Sequence, residues 1–119
     1  MTGATANLHP DLIAVLMQLE RRMGMELYIT SGQRDALHNA DVGGVPNSEH
    51  TYNPAQGADV RVVSSTMRFK LLRELFSMAV RRIGVGDTFI HIGIGQDKPM
   101  DVVWTYYEKK PVTPPSVPV

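Results

Sequence analysis

Leu12, Val15, Leu16, Leu19 and Met23 recur at three- and four-residue intervals, an apolar stripe that predicts an amphipathic helix. Pro10 falls in its first turn, where a missing N–H costs nothing, and Asp11 suits the positive end of the dipole. Arg21 and Arg22 suit the other end, and Gly24 can close it. Residues 1–8 are small and polar and are expected to fray. Leu27-Tyr28-Ile29-Thr30 reads as a strand broken by Ser31-Gly32. A short helix is expected from Arg34 to Asn39, closed by Gly43-Gly44. From Gly43 to Gln56 the composition is that of a loop, with two Gly, two Pro and two Asn. A loop that long in a small domain is usually functional or disordered.

Ala58, Val60 and Val62 alternate with Asp59 and Arg61, which predicts a half-buried strand with Asp59 on its polar side. Ser64-Ser65-Thr66 offers an N-cap for a second long helix. Its apolar face reads Leu71, Leu72, Leu75, Phe76, Ala79 and Ile83, which carries the helix to Gly84. Gly84-Val85-Gly86-Asp87 then reads as a turn. Ile90, Ile92 and Ile94 alternate with Phe89, His91 and Gly93, so His91 is expected on the same polar side as Asp59. Gln96 to Pro99 is a turn, and Val102 to Tyr106 a last strand. The order α, β, short α, β, α, β, β predicts an α+β domain: a small, largely antiparallel sheet with helices packed on one face. Residues 1–108 form that single domain, and 109–119 a Pro-rich tail.

Composition narrows the chemistry. The 119 residues suffice for one core, so a monomer is expected. Lys and Arg number 12 against 12 Asp and Glu, which leaves no long-range pull toward nucleic acid or anionic lipid. With no cysteine, a metal would have to be held by His, Asp or Glu. No apolar run is long enough for membrane insertion, and the first ten residues carry no signal-peptide pattern.

His50 lies in the long loop, Asp59 follows nine residues later on a strand, and His91 lies on another strand. Two imidazoles and one carboxylate can hold a zinc ion and leave its fourth position open. Alternatively, Asp59 pairs with Arg61 or Arg34 and the histidines are incidental. His9 reads as a helix-entry residue and His38 as a polar helix residue.

Several blocks occur together in one order: Ile29-Thr30-Ser31-Gly32-Gln33-Arg34, Val42-Gly43-Gly44, Asn47-Ser48-Glu49-His50, Gly57-Ala58-Asp59-Val60, Phe89-Ile90-His91 and Trp104-Thr105-Tyr106. In combination they resemble the zinc D-Ala-D-Ala carboxypeptidase and peptidoglycan L,D-/D,D-peptidase family, with its hedgehog/DD-peptidase fold. The resemblance runs from about residue 10 to residue 106. It implies one Zn²⁺ bound by His50, Asp59 and His91, with Arg34 on a substrate carbonyl or carboxylate and Ser48 bonded to the peptide. Three positions depart from the family pattern. The His–Asp gap is two residues longer, with Ala55 where a Gly is usual. Thr88 stands where many members place a Glu as general base. Gly93 stands where others place an Asp. The base is therefore open among Asp87, Glu49 and His38, with Asp87 the nearest carboxylate on the second-His segment.

The resemblance implies a metallopeptidase that cuts peptidoglycan stem peptides beside a D-residue, with Tyr52 and Trp104 as candidate cleft walls. It implies action at the bacterial cell wall, by a phage-delivered enzyme or a piece of a secreted protein. A non-catalytic, zinc-bearing module for cell-wall peptide is the alternative, and a metal-free structural domain a third.

Overall fold

The stripe on the first helix folds as its spacing predicts. Helix α1 spans Pro10–Met23, His9 Nδ1 accepts from the Asp11 N–H at its start, and Gly24 ends it in the left-handed region at φ 64°. The computed structural model describes residues 1–41 and 48–106. The expected Gly43-Gly44 closure and the Pro-rich tail from Lys109 lie outside those residues.

The remaining elements are β1 (Thr2–Gly3), β2 (Tyr28–Ser31), α2 (Ala36–Asp41), a 3-10 turn (Glu49–Thr51), β3 (Gly57–Arg61), α3 (Ser65–Ser77), β4 (Arg82–Val85), β5 (Phe89–Gly93) and β6 (Val102–Thr105). The six strands form one sheet in the order β1-β2-β3-β5-β4-β6. The central pairs β2–β3, β3–β5 and β5–β4 are antiparallel, and the outer pairs β1–β2 and β4–β6 are parallel. The sheet is therefore mixed, not largely antiparallel. α1 and α3 supply Leu12, Leu16, Leu19, Leu71 and Leu75 to a core shared with Ile29, Ala58, Val60, Ile83, Ile90 and Ile92 of the sheet. No helix among the described residues is long and apolar enough to cross a membrane.

Two expectations fail for local reasons. The first residues are not frayed: β1 pairs with β2, the Met1 ammonium lies 2.7 Å from Glu20, and Leu8 is buried. Gly3 makes this close approach possible, because a Cβ there would meet the Ile29 carbonyl oxygen. The second long helix stops at Ser77, well short of Ile83. Ala79 takes the left-handed conformation at φ 56°, a place usually held by Gly, and the freed chain becomes β4. Gly84 and Val85 belong to that strand, so the turn into β5 is confined to the residues after them.

Candidate metal centre

β3 and β5 run antiparallel with Asp59 directly opposite His91. Ala58 and Val60 on one strand, and Ile90 and Ile92 on the other, turn into the core under the helices. Side chains alternate, so Asp59 and His91 project together from the opposite face, where directly paired Cβ atoms lie about 4.5–5.5 Å apart. His50 reaches them from the 3-10 turn. Ser48 caps that turn, its Oγ accepting from the His50 N–H at 3.3 Å. Backbone bonds tie the turn down on both sides: Arg34 N–H donates to the His50 carbonyl at 2.7 Å, and Gln56 N–H to the Glu49 carbonyl at 3.0 Å.

The three side chains meet at one point. His91 Nδ1 lies 2.9 Å from Asp59 Oδ1, His50 Nε2 lies 3.1 Å from the same oxygen, and the two nitrogens are 3.2 Å apart. A tetrahedral ion with bonds of about 2.0–2.1 Å holds its ligand atoms roughly 3.3 Å from one another, so the triangle fits one. The nitrogens facing away are also bonded. His50 Nδ1 lies 2.7 Å from the Gly32 carbonyl oxygen, and His91 Nε2 lies 2.9 Å from Glu49 Oε1. A carbonyl oxygen only accepts, so Nδ1 of His50 carries the proton and Nε2 keeps its lone pair. An ionised Glu49 does the same for His91, with the two nitrogens exchanged.

Burial and charge oppose each other throughout the cluster. Burial alone would push the Asp59 carboxyl up, but the hydrogen bonds and charge of His50 and His91 outweigh it and hold it well below the usual carboxylate range. Burial works equally against an ionised Glu49, yet His91, the Gly95 N–H and Arg82 keep its pKa low. For His91, burial opposes the charged ring, and the Asp59 and Glu49 carboxylates raise its pKa despite that. The donor set, two imidazoles and an ionised carboxylate behind fixed partners, suits a divalent metal ion.

Glu49 is 2% exposed and fully engaged. Oε2 accepts from the Gly95 N–H at 2.7 Å and lies 3.1 Å from Arg82 Nε, an ion pair not aligned as a hydrogen bond. Arg82 in turn donates to the Pro99 carbonyl and lies over the Trp104 ring, 5.0 Å from its centroid. Trp104 packs 5.5 Å from the His91 ring, and Tyr106 packs against Trp104 and Phe89. The Tyr106 phenol is pushed up to about 12, by burial first and then by the negative charge of Asp59 and Glu49, so its hydroxyl stays a donor.

The remaining candidates scatter. Arg34 is half-buried, and its Nε has no hydrogen-bond partner among the described residues. Asp87, the carboxylate expected to act as base, is exposed at the tip of the β4–β5 hairpin, where its backbone carbonyl accepts from Arg68 at 2.7 Å. The structure does not bring it to the cluster. Glu49 reaches the cluster only from behind His91. Tyr52 donates to the Asp97 carboxylate at 2.9 Å, which ties it to the 96–99 turn. His38 lies in α2 and His9 at the entry to α1. The parts of Glu49, Arg82 and Tyr106 escape a reading by spacing. The glycines at 57, 93 and 95 were the available signal, since each leaves space that Glu49 fills.

A sequence model of the Peptidase M15 family matches residues 1–93 of this chain. The matched span includes all three residues of the triangle. Among the curated proteins, and among the solved structures, no match is found.

Proposed function

We propose that this chain, which belongs to the Peptidase M15 family, is a zinc-dependent hydrolase of peptide bonds next to a D-amino acid in peptidoglycan stem peptides. The observation that carries this reading is the buried triangle of His50 Nε2, Asp59 Oδ1 and His91 Nδ1, with each imidazole bonded on its far side. A zinc ion bound there would polarise the scissile carbonyl and make water acidic enough to attack near neutral pH. The chain's own residues then have separate tasks. Asp59 supplies negative charge to the metal, and Gly32 and Glu49 fix the imidazoles. Arg34 presents a planar, permanently charged fork whose buried Nε awaits an acceptor, which suits a substrate carboxylate or a developing oxyanion. Ser48 holds the turn that carries His50 and is the candidate for a hydrogen bond to the peptide. Trp104 and Tyr106 form an aromatic wall beside His91. The reading includes a monomer that acts at the bacterial cell wall.

Incubation with purified peptidoglycan tests this reading: new amino termini should appear, zinc-dependently, and mass spectrometry of the fragments identifies the bond. Arg34→Lys keeps the charge but loses the fork. It should lower kcat/KM by about 10- to 100-fold, the equivalent of hydrogen bonds to a charged group at roughly 1.5–3 kcal/mol. Unchanged kinetics in Arg34→Lys would remove Arg34 from the site.

A second reading has one observation in its favour. Asp87 is outside the cluster and Glu49 is behind His91, so neither carboxylate faces the open side of the triangle. A non-catalytic zinc-bearing module for cell-wall peptide would bind both zinc and peptide yet release no amine.

A further inference from the structure

His50 and Glu49 are consecutive, yet they grip opposite ends of one imidazole. His50 Nε2 lies 3.2 Å from His91 Nδ1, and Glu49 Oε1 lies 2.9 Å from His91 Nε2. In a strand, consecutive side chains point to opposite faces; in a 3-10 turn they diverge by roughly 120°, which lets both close on the same ring. The space that Glu49 enters is made by glycines. A Cβ on Gly93 would lie 2.2 Å from Glu49 Oε1 and 2.3 Å from Oε2, and one on Gly95 would lie 2.7 Å from Oε2. A Cβ on Gly57 would meet the Cβ of Glu49 at 2.7 Å and Cε1 of His91 at 2.6 Å. The Glu49 side chain is thus seated among three glycines, its carboxylate against Gly93 and Gly95 and its Cβ against Gly57. The Gly95 N–H and Arg82 hold one of its oxygens, and His91 takes the other.

We propose that Glu49 is the positioning residue of His91: its caged carboxylate accepts the Nε2 proton and so fixes the ring with Nδ1 toward the metal. Without that acceptor the ring could carry its proton on Nδ1, and the ligand atom would be lost. Gly93 is the condition for this device, because a side chain at 93 and the Glu49 carboxylate claim the same volume. The role rests on the metal reading of the site, and its test separates the two.

Glu49→Gln keeps the size of the side chain but makes one of its two ends a donor, which must then face either the Gly95 N–H or the His91 N–H. The probe is zinc alone, measured by competition with a chromophoric chelator, beside the visible spectrum of the cobalt-loaded protein. Glu49→Gln should bind zinc about 10- to 100-fold more weakly than the wild type, the range typical for losing the partner of a metal-bound histidine. Its cobalt bands should change. The pair Glu49→Gln with Arg82→Met removes the unpaired buried cation that the single change leaves behind. It should regain melting temperature while zinc affinity stays low. If zinc affinity returns with stability, or never falls in Glu49→Gln, Glu49 is a structural ion-pair partner only and the proposal is overturned. A wild type that binds zinc while Glu49→Gln binds equally well overturns this role alone. A wild type that takes up no zinc overturns the metal reading and this role with it.

Discussion

If the triangle holds the proposed zinc, Asp59→Ala should lose the metal and, with it, peptide hydrolysis. Oδ1 of Asp59 contacts both imidazoles, at 2.9 and 3.1 Å, and brings the negative charge of the set. Removing it leaves two buried nitrogens 3.2 Å apart with no anion between them. Losing a residue that merely supports a metal ligand typically weakens binding 10- to 100-fold, so losing this ligand should weaken it by more than about 100-fold. Zinc competition measures the affinity, and release of amino termini from peptidoglycan measures the activity; both should fall together. A variant that keeps wild-type zinc affinity would place the metal elsewhere.

Chelation is expected to lower the melting temperature steeply. A ligand bound only by the folded state stabilises it by mass action, about 4 kcal/mol when its concentration is a thousandfold above Kd. In a domain of this size each kcal/mol moves the midpoint by roughly 4–8 °C, so EDTA should lower it by on the order of 20 °C. The fold should survive the loss, because the three side chains bond to one another and to Gly32 and Glu49. Scanning calorimetry with EDTA, then with zinc restored, shows whether the shift occurs and reverses. An unmoved midpoint would favour the metal-free reading, in which the same residues form a hydrogen-bonded patch.

The parts of the chain that bury one face and expose the other were legible. The α1 stripe delivers Leu12, Leu16 and Leu19 to the core, and the alternation in β3 and β5 places Asp59 and His91 on one side. β1 was not legible, because two small polar residues carry no period and their pairing depends on a glycine contact with β2. β4 was hidden by Ala79 and Ile83, which extend the helical spacing of α3 beyond its true end. The stop signal there is an alanine at positive φ, where the sequence pattern expects glycine. Missing these pieces made the sheet look antiparallel, since both parallel pairs lie at its edges. The sequence marks Glu49 only as a candidate base, because spacing says nothing of how a 3-10 turn splays adjacent side chains. Asp87 is the nearest carboxylate to His91 on that segment of the sequence, yet the hairpin carries it to an exposed tip.

The metal content of the protein, purified without chelator and offered zinc, decides whether the triangle holds an ion. About one zinc per chain is expected, absent from His50→Ala and Asp59→Ala, as a site built on these ligands requires. A wild-type protein that holds no zinc after it is offered would contradict it, and the triangle would then be a buried polar cluster in a peptidase-family fold.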